Sequence, residues 1–230
     1  MKRVILCLLV AVQLLIGGAA IAERRLYEIS TIKTRYYVPR GGVAYVSDSV
    51  KEGDYRIEGR ILLQNISKGN IGYEEPTLYV YQNNQKIAEI PAVTVTPKSA
   101  VPRSFTLISF SELGVPLNGF DGIRLSIFSN VYPTEVKEKY IEMGSGEIER
   151  TEYTAGLRIS KDIRTLKKGI YVVNLLVFDD QGRFVWGEDV TANREYYTEA
   201  SNALQDYEVE LFEKNGLIPS KVYGEIYRKK

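Results

Sequence analysis

From Arg25 onward the chain is written in short period-two segments, each cut off by glycine, proline or asparagine. This constrains the fold more than any motif does. Alternation of apolar and polar residues describes a half-buried strand and gives a helix no continuous apolar face. Tyr55–Asn65 carries Tyr55, Ile57, Ile61 and Leu63 on one parity. Residues 77–81 set Leu78 and Val80 against Tyr79 and Tyr81, and Asn83-Asn84 then reads as a hairpin turn into residues 86–90. Residues 93–96 stand between Pro91 and Pro97, which reads as an edge strand, where a missing N–H costs little. Residues 25–38, 43–46, 105–110 and 123–128 add further strands, with Arg40-Gly41-Gly42 read as a break.

Ile170–Phe178 is the strongest strand in the sequence. It is apolar on both parities except at Asn174, the pattern of a central strand covered on both faces. Lys168-Gly169 turns into it, and Asp179-Asp180-Gln181-Gly182 turns out of it into residues 183–190, which carry Trp186. This hairpin resembles the last two strands of immunoglobulin-like modules. Ser109-Phe110-Ser111-Glu112-Leu113 followed by Phe120-Asp121-Gly122-Ile123 resembles the closing strands of sugar-binding jelly rolls. Both resemblances imply a sandwich, and neither transfers a functional residue. About ten punctuated strands predict an antiparallel β-sandwich, immunoglobulin-like or jelly-roll-like. Residues 131–153 are charged and read as an exposed excursion, a long hairpin with Gly144-Ser145-Gly146 at its tip, or else as a domain boundary.

After Val190 the period changes. Tyr196, Tyr197, Ala200, Ala203, Leu204, Tyr207 and Leu211 recur at steps of three and four, which predicts an amphipathic helix. Asn193 is its expected N-cap and Asn215-Gly216 its stop. A last short helix is expected from Ser220, with Val222, Tyr223, Ile226 and Tyr227 on one side. The expected organisation is a signal peptide over residues 1–22, a β-sandwich domain over 23–190 and a C-terminal helical segment over 191–230.

The opening residues read as that signal: Lys2 and Arg3, an apolar run from Val4, then Ala20-Ile21-Ala22 ahead of Glu23. An uncleaved anchor is the competing reading, since residues 4–22 are just long enough to span a membrane. Cys7, the only cysteine, lies inside this segment, and the chain has no histidine. A cleaved chain therefore lacks the side chains of Ser-His-Asp and Cys-His catalysis and of the usual zinc sites. The 30 basic and 29 acidic residues nearly balance, which leaves no electrostatic footprint for nucleic acid. No cofactor or metal is expected.

Paired carboxylates remain as a route to glycoside hydrolysis. Glu74-Glu75 and Asp179-Asp180 are adjacent, however, and strand neighbours point to opposite faces. Turn chemistry, or less favourably a calcium site, accounts for Asp179-Asp180. Asn65-Ile66-Ser67 is a glycosylation sequon. The one compositional excess is the 17 tyrosines. Tyr79, Tyr81 and Trp186 are the candidate aromatic binding surface, and Tyr196, Tyr197, Leu204, Tyr207 and Leu211 the candidate partner-docking helix face. The function these features predict is an exported, non-enzymatic structural or assembly subunit of a bacterial envelope or appendage complex. It would sit in the periplasm or at the cell surface. Its partners would be envelope proteins or further copies of itself. A carbohydrate-binding module using exposed Tyr and Trp is the alternative, and a carboxylate hydrolase comes third. Membrane contact is expected only if the leader stays on.

Overall fold

The computed structural model describes residues 23–48, 54–135, 139–150 and 156–229; the leader and its cleavage site lie outside these residues. Among the described residues the chain is mainly β, with one short helix. The strands in the first part are β1 (Arg24–Ser30), β2 (Tyr37–Asp48), β3 (Tyr55–Asn65), β4 (Ile71–Gln82), β5 (Gln85–Thr96), β6 (Ser99–Ala100), β7 (Phe105–Val115) and β8 (Ile123–Pro133). They run β5-β7-β3-β2-β1-β8-β4, and β4 pairs β5 again. The seven strands therefore close on themselves, with β6 appended to β4. All pairings in the ring are antiparallel except β1 with β8.

The expected sandwich thus holds only at the level of a mainly-β chain, because the first part is a barrel without two open sheets. Closure depends on β5. It pairs β4 through Gln85 to Pro91 and β7 through Ala92 to Thr96. Pro91, with no N–H to lose, stands where the strand changes partner. The prolines thus mark a corner, and residues 93–96, paired with β7 on one side only, keep the free edge the sequence predicts within a strand that closes the barrel. Arg40-Gly41-Gly42, by contrast, is no break. It is a bulge inside the continuous β2, where the register to β3 shifts between Pro39 and Gly41.

The barrel is filled, as its inward parity requires. Ala44 and Val46, Ile57, Ile61 and Leu63, Leu78 and Val80, Ile108 and Phe110, and Leu125 meet inside. The loop after β7 plugs one end with Leu117 and Phe120, and the Phe120 ring meets Tyr55 edge-on at 5.2 Å. Gln82 pins that plug. Its amide nitrogen donates to the Asn118 and Asp121 carbonyls, and its oxygen accepts from the Asn118 N–H at 2.8 Å.

The rest of the chain packs on the barrel's outside. It comprises β9 (Lys139–Ser145), β10 (Glu147–Arg150), β11 (Gly156–Asp162), β12 (Ile170–Phe178), β13 (Phe184–Asn193), β14 (Glu199–Gln205), α1 (Asp206–Lys214) and β15 (Lys221–Arg228). One sheet runs β13-β12-β15-β9 and a smaller one β10-β11-β14. Between them lies a second core of Ile159, Val173, Leu175, Ala200, Leu204, Val222 and Ile226, which Val209 and Phe212 of α1 complete. Strand β12 is central in its sheet and buried on both faces, as its sequence predicts.

Two expectations here are corrected. The excursion is not a single hairpin: β9 pairs β15 while β10 pairs β11, so the chain steps between sheets at Gly146. The C-terminal helical segment is mostly strand, with only α1 helical. Ala200 and Leu204, four apart, share a helix face and equally a strand face, and pairing along the whole of β11 decides for strand. The same ambiguity covers Val222 with Ile226 and Tyr223 with Tyr227, which β15 buries on opposite faces between β12 and β9. The helix starts at a capping box, with the Gln205 N–H on the Glu208 carboxylate at 2.9 Å. It stops at Asn215-Gly216 as expected, with Gly216 at φ +70°.

Gly146 permits the step between sheets by having no side chain. A Cβ there would stand 2.4 Å from the Ser160 carbonyl oxygen and 2.6 Å from Val222 Cγ1. Gly146→Ala is expected to lower the unfolding free energy by about 1–3 kcal/mol through overpacking. Urea titration followed by the fluorescence of the single tryptophan checks this, and an unchanged midpoint refutes it.

Candidate functional site

The barrel's outer wall over β5, β4 and β8 carries the aromatic residues expected there. With Leu78 and Val80 inside, Tyr79 and Tyr81 point out, each half-buried. Tyr79 stands between Ser126 and Glu89 in the ladder, and Tyr81 between Arg124 and Lys86. The Arg124 guanidinium lies 4.3 Å from the Tyr81 ring centre and the Lys86 ammonium 5.3 Å from that of Tyr79. Lys86 is also ion-paired with Glu89. Phe128, 53 % exposed, joins them with its ring 6.5 Å from Tyr79. Cations stacked on ring faces hold such side chains without burying them.

Phe128 is the residue that sequence reading missed, though a signal exists. In β8, Ile123, Leu125 and Ile127 share one parity, and Phe128 falls on the other with Arg124 and Ser126. An aromatic on the polar parity of a strand is a surface aromatic.

Trp186 does not belong to this wall. It is buried at 3 % exposure in the second core, with the Arg60 guanidinium 5.1 Å from its ring centre. Arg60 in turn donates to Glu188 at 2.9 Å. The expected docking-helix face is dispersed as well. Tyr196 and Tyr197 lie exposed in the turn before β14, Leu204 is fully buried in β14, and only Tyr207 and Leu211 are on α1. Tyr207 is half exposed and stacks under Arg24 at 4.0 Å. Leu211 packs against the second core. Asn65 of the sequon is fully buried, its amide donating to the Gly69 and Ala100 carbonyls, so the folded chain offers no acceptor there.

A second feature lies where β4, β5, β6 and β8 meet. A cleft of about 370 Å³ is lined by Tyr73, Glu75, Val93, Lys98, Tyr132 and Glu135, among others. Tyr132 lies flat on Gly72, its partner in the ladder; a Cβ on Gly72 would sit 2.8 Å from the ring. Glu75 enters the cleft from a bulge in β4 at φ +42°, a conformation that non-glycine residues rarely adopt and that clusters at functional sites. Glu75 and Glu135 are both exposed. Carboxylates placed there can accept hydrogen bonds from hydroxyls. Asp179 is buried in its turn, accepting from the Arg183 N–H at 2.8 Å and its Nε at 2.6 Å. Burial pushes the Asp179 carboxyl up, but those bonds outweigh it and leave its pKa below the ordinary value. This is turn chemistry, as the sequence predicts.

Behind these surfaces a polar clasp joins barrel and sheet. Glu225 of β15 is fully buried, and its carboxylate accepts the Phe105 N–H at 3.0 and 3.2 Å. The Tyr227 hydroxyl reaches the Phe105 carbonyl at 3.2 Å, and the Asn174 amide donates to the Thr96 carbonyl at 2.9 Å. Burial pushes the Glu225 carboxyl up to about 7, against the Phe105 N–H and the Tyr227 hydroxyl, which favour the anion.

The native state therefore holds this proton more tightly than the unfolded chain does. The contribution is complete at acid pH and is lost as pH rises from about 4.5 to about 7, on the order of 2–3 kcal/mol. The chain has no histidine to mask the window. Glu208 and Asp189, both raised by burial, act in the same direction. Urea titrations at pH 5 and pH 8 should show lower stability at pH 8, with Glu225→Gln removing most of the difference. An undiminished difference in the variant would refute this account.

No family model, curated protein or solved structure matches the chain, so the geometry itself carries the functional reading.

Proposed function

We propose that this chain is an exported, non-enzymatic recognition subunit of a bacterial envelope or surface-appendage assembly, and that it binds a folded protein partner through the Tyr79–Tyr81–Phe128 wall. The observation that carries this reading is the composition of that wall. Three partly exposed rings sit beside Arg124 and Lys86 on a rigid, convex sheet surface. Tyrosine, phenylalanine and arginine on a preorganised surface are the make-up of an interface centre. A convex wall fits a protein face better than a sugar chain, which needs walls on more than one side. The leader supports export, and an anchor or a cleaved terminus would each leave the barrel wall available. The two-sheet unit on the barrel's far side is the part of the chain closest to a sandwich.

The cleft at Tyr132 favours a second reading, carbohydrate binding. One ring face is backed by Gly72, and Glu75, Lys98 and Glu135 surround it with groups suited to hydroxyls.

Cross-linked pull-down from the native organism tests the first reading. The wild type is expected to capture envelope proteins, and Tyr81→Ser with Phe128→Ser to lose them by about tenfold or more at an unchanged urea midpoint. Capture unaffected by the double variant would refute the wall. Glycan-array binding abolished by Tyr132→Ala, with no protein captured, would transfer the assignment to the sugar reading.

A further inference from the structure

The seam between the barrel and the four-stranded sheet opens to solvent beside the turn from β12 to β13. The opening is a cleft of about 340 Å³ lined by Phe105, Leu176, Phe178, Met143 and Tyr223, with Arg40, Lys221 and Gly182 at its mouth. None of these residues belongs to the Tyr79–Phe128 wall. Phe178 fixes the floor: its ring meets Tyr223 edge-on at 5.7 Å and Phe184 edge-on at 6.0 Å. Leu176 continues that floor into a small buried cluster with Leu62, Leu107 and Phe184.

The charges at the mouth are of one sign. Arg40 and Lys221 are both exposed, and among the described residues neither is in a salt bridge. Arg40 spends its contacts on the Gln64 side-chain oxygen, and Lys221 donates to the Asp180 carbonyl at 3.1 Å. No described carboxylate lines the cleft. Glu225 lies behind the floor with its oxygens turned to the Phe105 N–H. The neighbouring cleft, which shares Arg40 and Gly182, differs in containing Glu28, and so lacks this one-sided charge.

An apolar, aromatic-walled cleft with two unpaired cations at its mouth has the complementarity of one ligand class. We propose that it binds a single-chain amphiphile with a carboxylate head, the chain lying on Phe178, Tyr223 and Leu176 and the head meeting Arg40 and Lys221. At the ~30 Å³ that a water-sized group occupies in a liquid, the cleft takes roughly a dozen heavy atoms, the size of decanoate.

Met143 offers a direct probe. The chain has two methionines, and the other is the initiator. Protein labelled with carbon-13 at the methionine methyl therefore reports the cleft mouth by a single signal in the folded domain. Titration with decanoate should move the Met143 resonance saturably, and decanol should bind about fivefold more weakly, as the loss of an exposed charge contact implies. Arg40→Gln with Lys221→Gln should weaken decanoate by about the same factor and leave decanol unchanged. Both positions are exposed, and the urea midpoint checks the fold. By calorimetry, Met143→Trp should block decanoate altogether. The absence of a saturable shift would overturn the proposal. Equal affinities for decanoate and decanol in the wild type would overturn the assignment of the head group without recourse to any variant.

Discussion

Three strands of the barrel bury apolar side chains on both faces, and the architecture follows from that requirement. Ala44 and Val46 of β2 fill the barrel while Val43 and Tyr45 enter the second core. In β3, Ile61 and Leu63 face inward and Leu62 outward; in β7, Ile108 and Phe110 face inward and Leu107 outward. A strand that is apolar on both parities cannot stand at a solvent-facing wall. The second unit is therefore the cover that lets these staves exist, and the barrel is the surface that lets the two small sheets close.

The cover is one-sided, and this organises function. The later strands and α1 pack on β1, β2, β3 and β7. Strands β8 and β4 and the first half of β5 complete the ring away from them, while the end of β5 reaches the seam at Thr96. Their outward parity carries the rings and cations of the recognition wall, while the seam on the covered side holds the clasp on Phe105. The two faces make opposite demands. The seam needs a carboxyl in a dry place, and the wall needs aromatics held in a wet one.

Much of this was legible in the sequence because strand signals are local. The alternation in Tyr55–Asn65, the Asn83-Asn84 turn, the doubly apolar β12 and the Asp179–Gly182 turn were all visible, as were the outward Tyr79 and Tyr81. What escaped depended on partners far away in the chain. Barrel closure depends on β5 changing partner at Pro91, and nothing local says that β4 and β7 take opposite halves of that strand. Residues 199–205 and 221–228 carry spacings of four, which helix and strand share, and only β11, β12 and β9 resolve them. Trp186 looked like a surface aromatic because its burial comes from Arg60 and the second core, more than a hundred residues away in the case of Arg60. The clasp was invisible for the same reason: nothing local marks Glu225 as a residue that will meet a main-chain amide of β7.

The single parallel pairing gives the fold a history. Strand β1 joins β8 only through Ile29 with Leu125 and Ser30 with Ser126. The first stave therefore keeps one flank unpaired until a segment almost a hundred residues later has emerged. Any chain interrupted before that point presents two raw β edges, one on β1 and one on β4, each a template for a stranger's backbone. The arrival of β8 is thus itself the act that makes this barrel sociable only on its own terms.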